Sequence, residues 1–200
     1  MNEITERIAH TLEKSCFVEM EASGRHVHLT KETAHALFGQ GLTNKLPLSQ
    51  PGQYVCSQRV TLKGPKGTLE RVAVLGPERK EDQAEISLTD AVILGVTPPV
   101  RLSGDLHDAA SVTVIGERGE AICPCIAALR HMHMTPEDAR THGLKNGDSV
   151  RVRVVTDRSL VFENVAVRVS PEFATRLHLD YDEANACHFK KGDLGLILHE

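Results

Sequence analysis

Short segments in which apolar and polar residues alternate recur along most of the chain. They are rich in valine and comprise residues 59–63, 72–75, 111–115, 150–154 and 165–169. Turn-forming pairs such as Gly64-Pro65 and Asn146-Gly147 lie between segments of this kind. A period of two over many short segments is typical of half-buried strands in small barrels and sandwiches. The pattern therefore predicts a mainly β protein.

The N-terminal segment has a different period. Ile4, Ile8 and Leu12 recur every four positions with polar residues between them, which predicts an amphipathic helix over residues 3–14. Two roles stay open for this helix. It either packs on its own barrel or lies in the groove of a partner protein.

An internal repeat divides the remainder of the chain. The segment Arg25-His-Val-His-Leu-Thr30 returns 105 positions later as Arg130-His-Met-His-Met-Thr135. Both threonines are good N-cap residues, and Pro136 fits the first position of a helix. We therefore expect two related halves, each a small barrel or sandwich with a short capping helix. The expected divisions are an N-terminal helix at 1–16 and halves at 17–95 and 96–200, with strands exchanged between the halves at the chain ends.

Composition excludes several classes of function. The chain has 23 basic and 27 acidic residues and few aromatic residues, so it lacks the basic surface that holds nucleic acids. No apolar segment has the length of a membrane span, and Glu3 and Glu6 are atypical of a secretory signal. We expect a cytoplasmic protein that binds neither nucleic acid nor membrane. Its five cysteines are an odd number and are expected to be reduced.

The repeated His-x-His motif predicts metal binding. Residues at positions i and i+2 of a strand share one face, so His26 with His28, and His131 with His133, can converge on one ion. Imidazole suits zinc, and catalytic zinc commonly has three protein ligands. Glu85 and His178 are candidate third ligands because each is a polar residue within an alternating apolar run.

Other residues are weaker candidates on spacing alone. Arg79 and Arg101 each follow a turn or strand end, where a guanidinium group can bind phosphate through two hydrogen bonds. On spacing alone, a solvated surface position is favoured for both. Cys123-Pro-Cys125 has the spacing of a soft-metal clip. Without a second cysteine pair, a structural role is favoured for it.

These motifs together resemble the PduL-type phosphate acyltransferases, the phosphate propanoyltransferase family associated with bacterial microcompartments. The resemblance covers nearly the whole chain, although Gly24 and Leu129 stand where asparagine and arginine are usual. The segments that carry it are 25–29, 51–54, 74–77, 85–90, 99–104, 130–134 and 182–186.

The resemblance implies a fold, two cofactors and a set of site residues. It implies two related β-barrels with an active site between them that holds two zinc ions. It assigns one zinc ion to His26, His28 and Glu85, and the other to His131, His133 and His178. It also implies that Arg79 binds phosphate, with Arg101 as a second candidate.

The implied reaction exchanges phosphate and coenzyme A on a short acyl group such as propanoyl or acetyl. In this hypothesis Arg79 and zinc orient the phosphate, and the zinc ion at His26 and His28 takes the departing sulfur. Two alternatives stay open: a two-zinc hydrolase that uses hydroxide, and a non-catalytic metal-binding scaffold protein. N-terminal helices in this family can act as encapsulation peptides, so residues 3–14 are expected to contact microcompartment shell or core proteins. The preferred acyl chain and the oligomeric state stay open.

Overall fold

The computed structural model describes residues 17–198 of the chain. The helix predicted at residues 3–14 lies outside the described residues. No helix between residues 17 and 198 combines the length and the hydrophobicity that crossing a bilayer requires.

The described chain consists mainly of short strands joined by turns and a few short helices. The strands are β1 (Phe17–Ala22), β2 (His26–His28), β3 (Asn44–Pro47), β4 (Tyr54–Lys63), β5 (Thr68–Gly76), β6 (Gln83–Ile86), β7 (Val100–Arg101), β8 (Ala110–Ile115), β9 (Glu120–Ala128), β10 (His131–Met134), β11 (Ser149–Val155), β12 (Val161–Val169), β13 (Arg176–Leu179) and β14 (Leu194–Leu198). The helices are α1 (Lys31–Phe38), α2 (Leu88–Leu94), α3 (Pro136–Thr141) and α4 (Tyr181–Ala186).

The first barrel is built by residues 24–129, with residues 180–182 attached to the same compact unit. Its strands follow the order β4-β5-β2-β6-β9-β8, and β8 pairs back with β4 to close the ring. Strands β3 and β7 extend it by pairing with β4 and β9. The predicted boundary between residues 95 and 96 lies inside this unit, because β8 and β9 complete the first barrel.

The second barrel is built by residues 17–23, 130–179 and 183–198. Its closed strand order is β1-β13-β10-β12-β11-β14. In both barrels the histidine strand, β2 or β10, pairs in parallel with one long strand and antiparallel with a short one. The prediction of two related β-barrels with short helices is confirmed.

Alternation along the strands directs apolar side chains into each barrel. In β11, for example, Val152 and Val154 are fully buried, whereas Arg151 and Arg153 are exposed. The buried side chains form one core cluster per barrel. Each fully buried valine or leucine contributes about 1.5 to 3 kcal/mol, so the barrel interiors are the main source of stability.

The repeated threonines cap helices as the sequence predicted. Thr30 accepts a hydrogen bond from the Thr33 amide at the start of α1, and Thr135 accepts one from the Asp138 amide at the start of α3. Pro136 occupies the first turn of α3. Each helix therefore begins just after a histidine strand, and the histidines precede the cap.

Candidate metal centres

His26, His28 and Glu85 form a buried cluster in the first barrel. Strand β2 pairs antiparallel with β6 so that His26 lies opposite Glu85. The Nε2 atoms of His26 and His28 each lie 3.5 Å from Oε1 of Glu85. Two donors at roughly 2.0 to 2.1 Å from one tetrahedral zinc ion lie about 3.4 Å apart. The spacing of these donor atoms therefore fits a single ion.

Hydrogen bonding prepares His26 to act as a ligand. Its Nδ1 lies 2.8 Å from the carbonyl oxygen of Gly24, which fixes a proton on Nδ1 and directs Nε2 toward Glu85. A bond of this kind from the second ring nitrogen is the usual support of a metal-ligating histidine. Nδ1 of His28 is buried and finds no hydrogen-bond partner among the described residues, so its ring is not satisfied by the protein alone.

The charge state of this cluster is also suited to a cation. Burial opposes ionisation of Glu85, but His26 and His28 outweigh it and hold the pKa of this carboxyl well below its ordinary value. Burial acts to lower the pKa of His26, yet the Glu85 carboxylate outweighs it and the pKa is raised. Burial lowers the pKa of His28 to about 4, so this imidazole is neutral near pH 7.

A polar network surrounds the Glu85 carboxylate. Ser103 Oγ donates to Glu85 Oε1 at 2.7 Å, and the side-chain amide of Gln83 donates to the same oxygen. The backbone amide of Gly104 donates to Gln83 Oε1 at 2.7 Å. These contacts fix the orientation of the carboxylate that completes the three-ligand set.

Arg79 joins this network. Its Nη1 donates to Ser103 Oγ at 2.9 Å, and its backbone amide donates to the carbonyl of Leu29 at 2.8 Å. Its positive charge acts to lower the pKa of both His26 and His28, as expected of a guanidinium group close to the cluster. The structure therefore places a cation beside the candidate metal site.

Arg101, the second candidate for phosphate binding, has a different environment. Its Nε lies 3.5 Å from Asp105, and Nη1 donates to the carbonyl of Val100. The side-chain contacts described for Arg101 are with Val100 and Asp105 of its own segment. None of them reaches the cluster of His26, His28 and Glu85.

The second barrel holds a matching cluster of three histidines. In the antiparallel pair of β10 and β13, His131 lies opposite His178. The ring centroids of the three imidazoles, including His133, lie 4.7 to 5.0 Å apart, and one ligand atom from each falls within 4.8 Å of the others. Glu21 Oε2 lies 3.6 Å from His178 Nδ1. This is a second three-ligand set with nitrogen donors only.

The cross-strand neighbours of the two clusters differ. His28 has Leu75 and Gln83 as register partners on the flanking strands. The equivalent His133 has Arg168 and Arg176. The ring of Phe173 packs against His133 at 4.1 Å between centroids, and the Arg168 guanidinium lies over the Phe173 ring at 5.7 Å from its centroid. The register partners of His133 are therefore cationic, whereas those of His28 are not.

The cysteine pair lies elsewhere. Cys123 and Cys125 are buried in the core of the first barrel on β9. Burial raises the pKa of Cys125 to about 12 and raises the pKa of Cys123 further, so both remain thiols. Among the described residues, neither belongs to a group that could hold a metal ion.

Spacing alone had not selected Gln83, Ser103 or Gly104. A signal was present for Gln83, because it stands two residues before Glu85 and so shares its face of β6. Ser103 lies 18 residues beyond Glu85, and only the folded chain brings the two together.

Comparisons with known proteins identify relatives of the chain. A family model described as phosphate propanoyltransferase matches residues 19–190. A phosphate propanoyltransferase of Clostridioides difficile is 46% identical over 99% of this chain and 97% of its own length. One from Listeria monocytogenes is 50% identical over 90% of this chain and 87% of its own length. One from Thermotoga maritima is 48% identical over 94% and 91%.

Proposed function

The chain belongs to the phosphate propanoyltransferase family and is an acyltransferase, and we propose that it interconverts a short acyl-CoA and phosphate with acyl phosphate and free coenzyme A. Propanoyl-CoA and acetyl-CoA are the proposed acyl donors. The observation that carries this proposal is the chain of contacts from Arg79 through Ser103 to the Glu85 carboxylate of the first three-ligand set.

The reaction makes three demands on the site. A phosphate oxygen attacks the thioester carbonyl carbon, the tetrahedral intermediate collapses, and the carbon–sulfur bond breaks to release the coenzyme A thiolate. The site must hold an anionic nucleophile, stabilise an oxyanion and accept a thiolate. Each demand calls for positive charge placed in advance.

Arg79 meets the first demand. Its guanidinium has a planar fork that can hold two phosphate oxygens, and Ser103 fixes one of its nitrogens. A phosphate bound in this way is oriented and its charge is partly neutralised. Orientation of this kind converts an encounter in solution into attack within a bound complex.

The two three-ligand sets fit zinc in donor type and spacing. His26, His28 and Glu85 would hold one ion, and His131, His133 and His178 the other. Bound zinc would supply Lewis acidity toward the thioester carbonyl and affinity for a thiolate. The ligand sets differ in charge, since only the first includes a carboxylate, so we propose unequal tasks for the two ions.

An exchange assay on Arg79→Ala tests the proposal. Thiol release from propanoyl-CoA is measured with and without phosphate, and the variant is expected to lose about 100-fold or more in kcat/KM for phosphate. Lys80→Ala is the matched control, because Lys80 is an exposed cation on the same loop. Unchanged phosphate dependence in Arg79→Ala would contradict the assigned role.

The same assay separates transfer from hydrolysis. A two-zinc hydrolase would release thiol at equal rates with and without phosphate, because its nucleophile would be hydroxide.

The acyl-chain specificity is tested by running the same assay with acyl-CoA substrates of different chain lengths. One methylene is worth about 1 to 3 kcal/mol in an apolar pocket, so a preference of about 10-fold or more is expected for the natural chain.

Residues 3–14 are proposed to direct the enzyme into a bacterial microcompartment. The support for this is the four-residue apolar period of the segment, and the segment itself lies outside the described residues. Deletion of residues 1–14 from a tagged protein is expected to abolish its co-purification with the compartment. Continued packaging of the deletion variant would contradict the proposed targeting role of residues 3–14.

A further inference from the structure

The arginine that precedes the first His-x-His motif makes a two-point ion pair. Arg25 Nε donates to Asp90 Oδ2 at 2.9 Å, and Nη2 lies 2.7 Å from Oδ1. Asp90 is buried at the start of α2, where its carboxylate also belongs to the capping box with Ser87. One hydrogen bond and a second close ionic contact to the same carboxylate restrict the direction of the guanidinium as well as its distance. Arg25 is therefore held in one orientation.

The arginine of the second motif has an equivalent partner. Arg130 Nη1 donates to Glu183 Oε1 at 2.8 Å, and Nε donates to the carbonyl of Glu163 at 2.6 Å. Glu183 lies on α4, which follows strand β13. Both arginines thus bind an acidic residue on the helix that follows the strand of the third ligand.

The two acidic residues occupy the same position in the repeat. Asp90 comes five residues after Glu85, and Glu183 comes five residues after His178. No sequence motif links the two acids, since one is aspartate and the other is glutamate. Their equivalence appears only when the two barrels are compared strand by strand.

A second set of contacts closes the opposite end of each histidine strand. The backbone amide of Thr30 donates to Asp82 Oδ1 at 2.6 Å, and that of Thr135 donates to Thr175 Oγ1 at 3.1 Å. Asp82 and Thr175 each come three residues before the third ligand, Glu85 or His178. Each histidine strand is therefore tied to the neighbouring ligand strand at both ends.

These ties matter because the strands themselves are short. Strand β2 has three residues and β6 has four, so few ladder hydrogen bonds set their register. A slip of one residue would turn His26 and His28 to the opposite face. Contacts other than the backbone hydrogen bonds between these strands are therefore needed to keep the three ligands together before an ion binds.

We infer that Arg25 with Asp90, and Arg130 with Glu183, are positioning pairs that hold the metal ligands of their own barrel in place for the ion. This inference rests on the metal binding in the proposed function and adds residues that the ligand sets do not include. Groups that hydrogen-bond a metal ligand directly typically change metal affinity by about 10- to 100-fold when removed, and these pairs, which act through the strands, are expected at the lower end of that range.

Zinc titration of full-length variants tests the inference without relying on catalysis. A His131→Ala background removes a ligand of the second barrel, so that zinc binding measures the first barrel. In this background Arg25→Gln is expected to weaken zinc binding by about 10-fold or more. In a His26→Ala background, which reports the second barrel, the same change is expected to have no effect. Arg130→Gln should show the reverse pattern.

Two further variants separate positioning from general destabilisation. Arg151→Gln removes an exposed ion pair with Glu163 on strands of the second barrel and should leave both affinities unchanged. Arg25→Lys keeps the charge but loses the fork, so it is expected to restore part of the affinity and provides a milder variant if Arg25→Gln fails to fold.

Several outcomes would overturn the inference. Equal losses at both barrels would show a global effect, and unchanged affinity in Arg25→Gln and Arg130→Gln would show that the pairs do not position ligands while leaving the proposed function intact. Absence of zinc binding by the unmodified chain would remove the metal part of the proposed function and the inference together.

Discussion

At the scale of single residues, the surroundings of His26 determine how the first cluster can bind a cation. The Gly24 carbonyl directs the Nδ1 proton of His26, and Glu85 raises the pKa of the ring above its ordinary value. His28 is two residues away and has a pKa of about 4 because of its burial. Two histidines of one motif therefore differ in how readily they hold a proton.

This difference predicts the pH dependence of zinc binding at the first barrel. Below the raised pKa of His26 a proton competes with zinc for Nε2, whereas His28, with a pKa of about 4, and Glu85, with a pKa well below its ordinary value, stay unprotonated. Between the pKa of His28 and that of His26, affinity should fall about tenfold per pH unit as pH falls, with one proton released per ion.

Calorimetry of a His131→Ala protein in buffers of different ionisation enthalpy measures that proton count. Release of two protons per zinc ion over this range would show that both histidines are protonated before zinc binds, and would contradict the predicted difference between their pKa values.

Gly24 lies at a position where neighbouring atoms leave little space for a side chain. A Cβ added at this position would lie 2.7 Å from the ring of Tyr181 in the same compact unit. Because Tyr181 is about half exposed and the contact is with the outer end of its ring, Gly24→Ala is expected to displace Tyr181 and to destabilise the protein by about 1 kcal/mol or less. Urea unfolding measures the loss, and a Gly24→Ala/Tyr181→Ala double variant should lose less than the sum of the two single changes. Simple additivity would rule out the clash.

At the scale of elements, each histidine strand leads directly into a capped helix. Thr30 and Thr135 use their side chains to cap α1 and α3, and their backbone amides bind the segment before the next ligand strand. One residue thus ends the strand, begins the helix and ties both to a third element.

Asp82 is the most exacting partner in this arrangement. It accepts from both the Thr30 amide and the Thr33 hydroxyl at 2.6 Å. Asp82→Ala leaves these donors unsatisfied and should cost about 1 to 3 kcal/mol of unfolding free energy. Asp82→Asn keeps one acceptor and is the matched comparison in chemical denaturation. Equal stability of the alanine and asparagine variants would mean that the lost acceptor does not contribute to the free energy of unfolding.

At the scale of the whole molecule, the two barrels are not contiguous in sequence. Strand β1 precedes all of the first barrel in the chain, yet it closes the second barrel by pairing with β13 and β14. Val18 and Met20 of β1 are buried in the second core. The repeat of the sequence and the compact units of the fold therefore have different boundaries.

Because β1 belongs to the second barrel, the stability of a fragment is expected to depend on whether it contains β1. Residues 130–198 alone lack β1, so the second barrel would have two open edges and an uncovered core, and no cooperative unfolding is expected. Because Phe17 pairs with Leu196, a short glycine- and serine-rich linker from residue 198 to residues 17–23 should restore the barrel. Circular dichroism during urea denaturation compares the two chains. Equal midpoints would show that β1 is dispensable.

Sequence patterns were most informative where the physics is local. Alternation places apolar residues on one face of a strand, so segments such as 150–154 indicated strands, and residues 149–155 form β11. The cap residues Thr30 and Thr135 were evident for the same reason. The choice of Glu85 and His178 as third ligands depended on resemblance, because either residue alone could have been an exposed strand residue.

The amino-acid sequence by itself determined the mainly β class, the two related halves and the paired histidines, since strand period, a repeated motif and i, i+2 spacing can be read without knowing which distant segments meet. Only the tertiary structure decided that Glu85 lies opposite His26, that Ser103 links Arg79 to Glu85, and that β1 belongs to the second barrel. The physical reason is that these contacts join segments far apart in the chain, and such pairings are selected by closure and burial of the whole barrel.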